Sequence, residues 1–219
     1  MGRTPHRPPM TSRIIETDAD VAEGAAWLAE QVPEFARALE QTGALPLRRR
    51  SGGFPAMLQA ICGQQLSVAS AASVWNKLCD AGIQESDAVL AAGEDQLRAC
   101  GLSRPKVRYA IALAEADLDY GALATMPEDE AIATLTAVKG IGTWTAEIYL
   151  KFAIGRADVL AAGDLALQES ARIIFELPER PNEKELREMA ASWSPWRAVA
   201  ARILWAYYRV AKQREGISE

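Results

Sequence analysis

Apolar residues recur at helical spacing along most of this chain. Val21, Trp27, Leu28, Phe35 and Leu39 give helical patterns over 18–41, broken near Pro33. Met57, Leu58, Ile61 and Cys62 form the buried face of a helix opened by Phe54-Pro55. Ser67 is placed to cap the next helix, Val68–Asp80, and Gly82 to close it. Shorter patterns predict helices at 86–92 and 94–100, then one that leaves a basic turn at 101–108 and runs to about 117. Thr125-x-x-Glu128, with Pro127 in the first turn, reads as a capping box for a helix carrying Ala131, Ile132, Leu135 and Val138. Trp144, Ile148 and Phe152 resume the spacing beyond two glycines. Periodicity lapses over 155–163. Asp164 then begins a helix with Leu165, Leu167 and Ile173, which Pro178 ends. Asn182 caps another to about Ser192, and Ser194-Pro195 introduces the last, 196 to about 212. No strand-like alternation is convincing. The pattern predicts an all-α chain of about ten helices joined by short loops.

The two glycines stand in Val138-Lys139-Gly140-Ile141-Gly142-Thr143-Trp144-Thr145-Ala146, a tight hairpin between helices. A Gly-x-Gly turn opening a helix leaves several amides pointing outward at the positive end of the helix dipole. The amides of Gly140, Gly142 and Thr143 therefore suit a phosphate.

Composition narrows the chemistry. The 219 residues carry a net charge of −5, so any nucleic-acid site must be a local patch rather than a property of the whole surface. The only histidine, His6, lies in a Pro-rich start, which argues against a histidine base or a histidine-held metal. Cys62, Cys79 and Cys100 are widely spaced within helical patterns and read as free thiols in a reducing cytoplasm, not as an iron–sulfur centre. No apolar run reaches membrane-spanning length and no signal peptide is visible.

Three stretches taken in order resemble a known family. The hairpin VKGIGTWTA with Asp164 downstream resembles the helix–hairpin–helix (HhH-GPD) DNA glycosylase superfamily. ICGQQLSVASAA and WSPWRAVAARILW resemble its 3-methyladenine DNA glycosylase II type. The likeness covers about residues 50–210, in the compact form without an N-terminal β-domain. It implies a two-lobed helical fold with a DNA-binding cleft between the lobes. On that pattern 19–212 form one domain with lobes at about 45–115 and 116–212, or interleaved. Residues 19–44 pack as a cover, and 1–18 and 213–219 are tails.

The resemblance also implies roles. Asp164 becomes the catalytic carboxylate, stabilising positive charge on the sugar as the glycosidic bond breaks. Trp144 and Trp205 match aromatic positions of the base pocket, and an indole suits a cationic base. Gln64, Gln65, Leu66 and Ser67 occupy the place of the turn that fills the gap left by a flipped base, with Gln65 at the wedge position. The carbonyls of Thr136, Val138 and Ile141 match a site for a monovalent cation, Na⁺ or K⁺; the chemistry itself needs no cofactor. Arg104, Lys106 and Arg108, or Arg48 to Arg50, are weaker phosphate candidates, and Trp27, Trp193 and Trp196 are assigned to packing.

Two departures refine the activity. Bifunctional relatives carry a lysine nucleophile two residues after the second hairpin glycine; here that residue is Trp144, and an indole cannot form a Schiff base. Ile148 and Leu165 stand where relatives often have aromatic residues. The expectation is a monofunctional glycosylase for alkylated purines such as 3-methyladenine and 7-methylguanine, acting as a monomer on damaged double-stranded DNA in the cytoplasm. The alternatives are a glycosylase for neutral lesions (hypoxanthine, uracil, ethenoadenine) and a non-catalytic DNA-binding protein.

Overall fold

The computed structural model describes residues 13–214. Among these residues every regular element is helical, apart from one isolated bridge pairing Ile14 with Arg156. The chain divides into two compact units. One is Arg50–Ile154; the other joins the residues up to Arg49 with those from Gly155 onward.

The Arg50–Ile154 unit contains α3 (Gly53–Gly63), α4 (Val68–Asp80), α5 (Ser86–Ala99), α6 (Arg104–Glu115), the single turn α7 (Ala122–Thr125), α8 (Glu128–Thr136) and α9 (Thr143–Tyr149). A π-helical turn, Leu150–Ile154, continues α9. Phe54, Met57, Leu58, Ile61 and Cys62 of α3 are buried, as the apolar stripe predicts, and α3 packs against α4, α6 and α9. Ser67 caps α4 through a bond from the Ser70 amide, 3.2 Å. Gly93 leaves helical geometry at φ 66, so α5 consists of the two expected pieces. The capping box at Thr125 does not form. Thr125 ends α7, where its hydroxyl donates to the Ala122 carbonyl, and Pro127 precedes α8 without a side-chain cap.

The second unit contains α1 (Asp18–Gln31), α2 (Pro33–Thr42), α10 (Leu165–Ile174), α11 (Glu183–Met189) and α12 (Arg197–Arg214). Its core gathers on Trp193. The Phe35 ring meets Trp193 edge-on at 5.1 Å, and Phe175 stacks on it at 5.8 Å. Trp196 is buried and Trp27 packs against the same core, so the three tryptophans assigned to packing do pack. A Cβ on Gly24 would come within 2.6 Å of the Trp196 ring, so only glycine lets α1 approach this closely.

The units interleave along the chain, one of the two organisations expected, with boundaries after residues 49 and 154 rather than at about 115/116. Residues 19–44 are not a separate cover, because α1 and α2 share one core with α10 and α12. Aromatic contacts between positions more than a hundred residues apart have no signature in local periodicity. The expected tail at 1–18 also shortens. Ile15 is fully buried and donates its amide to the Gly155 carbonyl at 2.7 Å, and Thr17 caps α1. The C-terminal tail shortens too, since α12 reaches Arg214. Residues 1–12, including His6, and 215–219 lie outside the described residues. No described helix is long and apolar enough to cross a membrane.

Candidate functional site

The hairpin joins α8 to α9. The Ile141 amide donates to the Val138 carbonyl at 3.1 Å, and the Gly142 carbonyl accepts from Ala146 at 3.0 Å to begin α9. Val138 and Ile141 are buried, which roots the turn in its unit. The two glycines have different jobs. Gly140 has φ 92, and a Cβ there would lie 2.2 Å from the Tyr109 ring. It is required by backbone conformation and by the aromatic ring beneath it. Gly142 has φ −89 and open space where its Cβ would be. As the N-cap of α9 it has no side chain to cover the first-turn amides, which have no intrahelical acceptor. Trp144, one residue into that turn, is 46% exposed, an unusual exposure for an indole.

The Gln64–Ser67 turn belongs to the same unit and is bonded to the hairpin. The Gln64 side-chain amide donates to the Gly140 carbonyl at 2.9 Å. Gln65 takes φ 55, a left-handed conformation rare outside glycine, and is exposed. Leu66 is exposed beside it. A hollow of 490 Å³ separates the turn from the hairpin, with Lys106 and Tyr109 in its wall. The Lys106 ammonium donates to the Cys62 carbonyl at 2.7 Å, at the end of α3; burial lowers its pKa. Lys106 therefore holds the turn in place in addition to lining the hollow. Arg104 and Arg108 are exposed.

Asp164 and Trp205 lie in the other unit. Asp164 is the N-cap of α10, and its Oδ1 accepts the amides of Ala166 at 2.9 Å and Leu167 at 3.2 Å. Two backbone bonds to one oxygen fix the carboxylate's orientation. Leu165, the next residue, is 61% exposed. Trp205 is half-buried on α12 and leans on the core.

Several residues that the sequence pattern did not single out hold these elements. Asp158 accepts from Arg197 Nε at 2.8 Å and from the Ser194 hydroxyl at 2.7 Å. Burial alone would raise its pKa, but these donors outweigh burial and lower it. Four of the five residues of the WSPWR stretch are thus placed: two tryptophans in the core, a serine and an arginine on Asp158. Arg202 donates to the Leu47 carbonyl at 3.0 Å; burial, followed by Arg48 and Arg49, pushes its pKa down to about 10. A Cβ on Gly155 would overlap the Arg49 guanidinium, and Arg50 lies 5.6 Å over the Phe152 ring, so two of the three arginines of the basic loop pack locally.

The cysteines are free thiols. Cys62 and Cys100 are buried, and burial pushes Cys62 up to about 11. Among the described residues no cluster of His, Cys, Asp or Glu could hold a metal ion. The carbonyls of Thr136, at the end of α8, and of Val138 and Ile141, in the hairpin, are neutral oxygen donors; that of Val138 accepts the Ile141 amide.

The chain is similar to proteins of one repair family. It is 29% identical over 162 residues to the alkylbase DNA glycosidase-like protein mag2 of Schizosaccharomyces pombe, covering 69% of this chain and 76% of that one. Its fold superposes on the DNA-3-methyladenine glycosidase of Bacillus halodurans with a TM-score of 0.80 at 26% identity, covering 93% of this chain and 95% of the other. It also superposes on the 3-methyladenine DNA glycosylase Mag1 of S. pombe, solved in complex with abasic DNA, with a TM-score of 0.72 at 25% identity and coverages of 84% and 95%. Residues 58–196 match the HhH-GPD superfamily base excision DNA repair proteins, and the chain belongs to that family.

Proposed function

We propose that this protein is a monofunctional DNA glycosylase that hydrolyses the N-glycosidic bond of alkylated purines, 3-methyladenine and 7-methylguanine, and leaves an abasic site. The observation that carries this reading is Asp164, oriented by two backbone bonds at the start of α10 in a chain of this family. Relatives named for 3-methyladenine support the substrate class.

The chemistry needs one carboxylate. The glycosidic bond breaks with its electron pair going to the base. An alkylated purine already carries positive charge, so it departs neutral and no acid need protonate it. Positive charge then develops on the sugar, where Asp164 stabilises it. Water adds at C1′ and releases a proton. Beforehand the base must leave the stack, at a cost of about a few kcal/mol. The hairpin amides offset that cost by gripping a phosphate, Gln65 fills the gap, and the exposed Trp144 offers an indole face to a cationic base. A monovalent cation on the hairpin carbonyls would add positive charge beside that phosphate. With Trp144 in place of a lysine nucleophile, no covalent sugar adduct forms.

Ile148 and Leu165, where relatives often carry aromatic rings, favour a second reading: a less aromatic pocket that accepts neutral lesions. One excision panel tests both. Duplexes carrying 3-methyladenine, 7-methylguanine, hypoxanthine, uracil and ethenoadenine are assayed for base release, with borohydride trapping alongside. Release of the cationic bases without a trapped adduct supports the proposal. Release of neutral bases alone favours the second reading. No release, with DNA binding intact, reduces the protein to a DNA-binding module.

A further inference from the structure

A groove between α10 and α12 lies in the same unit as Asp164 and begins at the residue after it. Leu165, Glu169 and Ile173 are four apart on α10 and form one stripe; Tyr208, Ala211 and Lys212 form the facing stripe on α12. Arg180, from the loop after α10, also lines the groove, and the space between is 330 Å³.

Three properties bear on what this groove takes. The first is continuity with the candidate site. Leu165 follows Asp164, and Tyr208 is three residues beyond Trp205, on the same side of α12. The second is charge. Glu169 accepts two bonds from Arg172, at 3.0 and 2.7 Å, which lower its pKa; the charges of Arg172, Arg180 and Lys212 lower it further. Three cations around one carboxylate leave local positive charge on a chain whose net charge is −5. The third is surface. Leu165 is an exposed apolar side chain, and the Tyr208 ring carries the Lys212 ammonium 5.5 Å from its centroid. Apolar faces alternating with cations match a nucleic-acid strand, in which sugars and bases alternate with phosphates.

We propose that this groove holds the DNA strand flanking the flipped nucleotide. Arg180 and Lys212 each neutralise one phosphate, and Leu165 and Tyr208 pack on the sugar or base between them. The inference rests on the glycosylase reading and adds a second strand contact, in the unit that carries Asp164.

The test is the salt dependence of binding. Affinity of the full chain for a duplex carrying a stable abasic-site analogue is measured between about 50 and 200 mM salt. Each phosphate contact contributes about 0.9 to the slope of log K against log salt, so Arg180→Ala/Lys212→Ala should lower the slope by about 1.8. Arg180→Lys/Lys212→Arg should keep it. Arg37→Ala/Lys184→Ala, which removes two cations held in ion pairs outside the groove, should leave it unchanged. If the double groove variant is unfolded by circular dichroism, Arg180→Ala and Lys212→Ala are read singly, each with a loss of about 0.9. An unchanged slope in groove variants of a protein that binds and excises overturns the groove and leaves the glycosylase reading standing. An equal loss in the Arg37/Lys184 control also overturns it, because the effect is then one of net charge. A wild-type protein that neither binds nor excises removes both readings.

Discussion

Gln64 donates its side-chain amide to the carbonyl of Gly140, 76 residues away, at 2.9 Å. This bond ties the turn carrying Gln65 to the hairpin. The hairpin and the turn thus share one support, with Tyr109 against Gly140 and Lys106 on the Cys62 carbonyl completing it. Gln64 thus has a positioning role in the DNA-free protein, beside the DNA contact that its place in the sequence pattern suggests. Gln64→Ala should destabilise the DNA-free protein by about 1 kcal/mol, the usual worth of a neutral hydrogen bond. It should also weaken binding to damaged duplex. Urea unfolding together with a binding titration separates the roles: a glutamine that touched only DNA would leave the unfolding midpoint unmoved.

The two hairpin glycines should respond oppositely to alanine. At Gly140 the methyl meets the Tyr109 ring and the backbone is left-handed, so Gly140→Ala should cost about 2–5 kcal/mol from strain and overpacking together. Adding Tyr109→Ala should relieve the overlap but not the φ penalty. Gly142→Ala meets open space at an ordinary φ, so its stability cost should stay within about 1 kcal/mol, the preference for glycine over alanine at an N-cap. Its methyl would stand where a phosphate approaches the amides, so affinity for DNA should fall. Equal stability losses at both positions would contradict the division of labour between them.

Local features of this fold were legible because local physics decides them. Ser67, Asp164 and Asn182 cap the helices expected of them, and Gly93 separates two short helices at the expected residue. Thr125 misled because a capping-box spacing also occurs by chance, and the chain instead spends Thr125 on closing α7. What failed at longer range was the assignment of neighbours. Phe35 looks like any core residue until it meets Trp193 and Phe175, and Ile15 looks like part of a polar tail until it is buried behind the Gly155 carbonyl. The candidate site divides the same way. Asp164 and Gly140 take the cap and the turn that their types and spacings announce, whereas Asp158, Tyr109 and Arg202 matter only through partners distant in sequence.

Asp164 caps α10 and is proposed to act in the chemistry, and substitution can part the two. Asparagine keeps an acceptor oxygen for the Ala166 and Leu167 amides but not the charge. Asp164→Asn should therefore unfold within about 0.5 kcal/mol of the wild type, bind damaged duplex normally and lose excision by about two orders of magnitude or more. Asp164→Ala should lose the cap as well, at a further cost of about 1 kcal/mol. Single-turnover excision and thermal unfolding of both variants supply the comparison. Retained excision in Asp164→Asn would remove the carboxylate from the chemistry and leave it a helix cap.

Acid should loosen the start of α1 before it reaches the rest of the fold. Asp20 accepts from the Thr17 hydroxyl and from the amides of Glu16 and Thr17, and it pairs with Arg13. The Thr17 hydroxyl first, then the two amides, lower its pKa from 3.8 to about 2. A carboxylate held down in the folded state binds its proton more readily when unfolded. Its contribution is therefore complete above the unfolded value and disappears as pH falls from about 4 towards 2. Arg13, which lies 4.6 Å over the Trp196 ring, is held chiefly by two bonds to Glu23, with Asp20 farther off at 3.3 Å, so its place over the core should survive protonation of Asp20. Stability of the wild type and Asp20→Asn should differ at neutral pH and converge across that window, measured by urea unfolding at stepped pH. A difference that stayed constant down to pH 2 would mean that shape alone, and not the carboxylate charge, makes the cap.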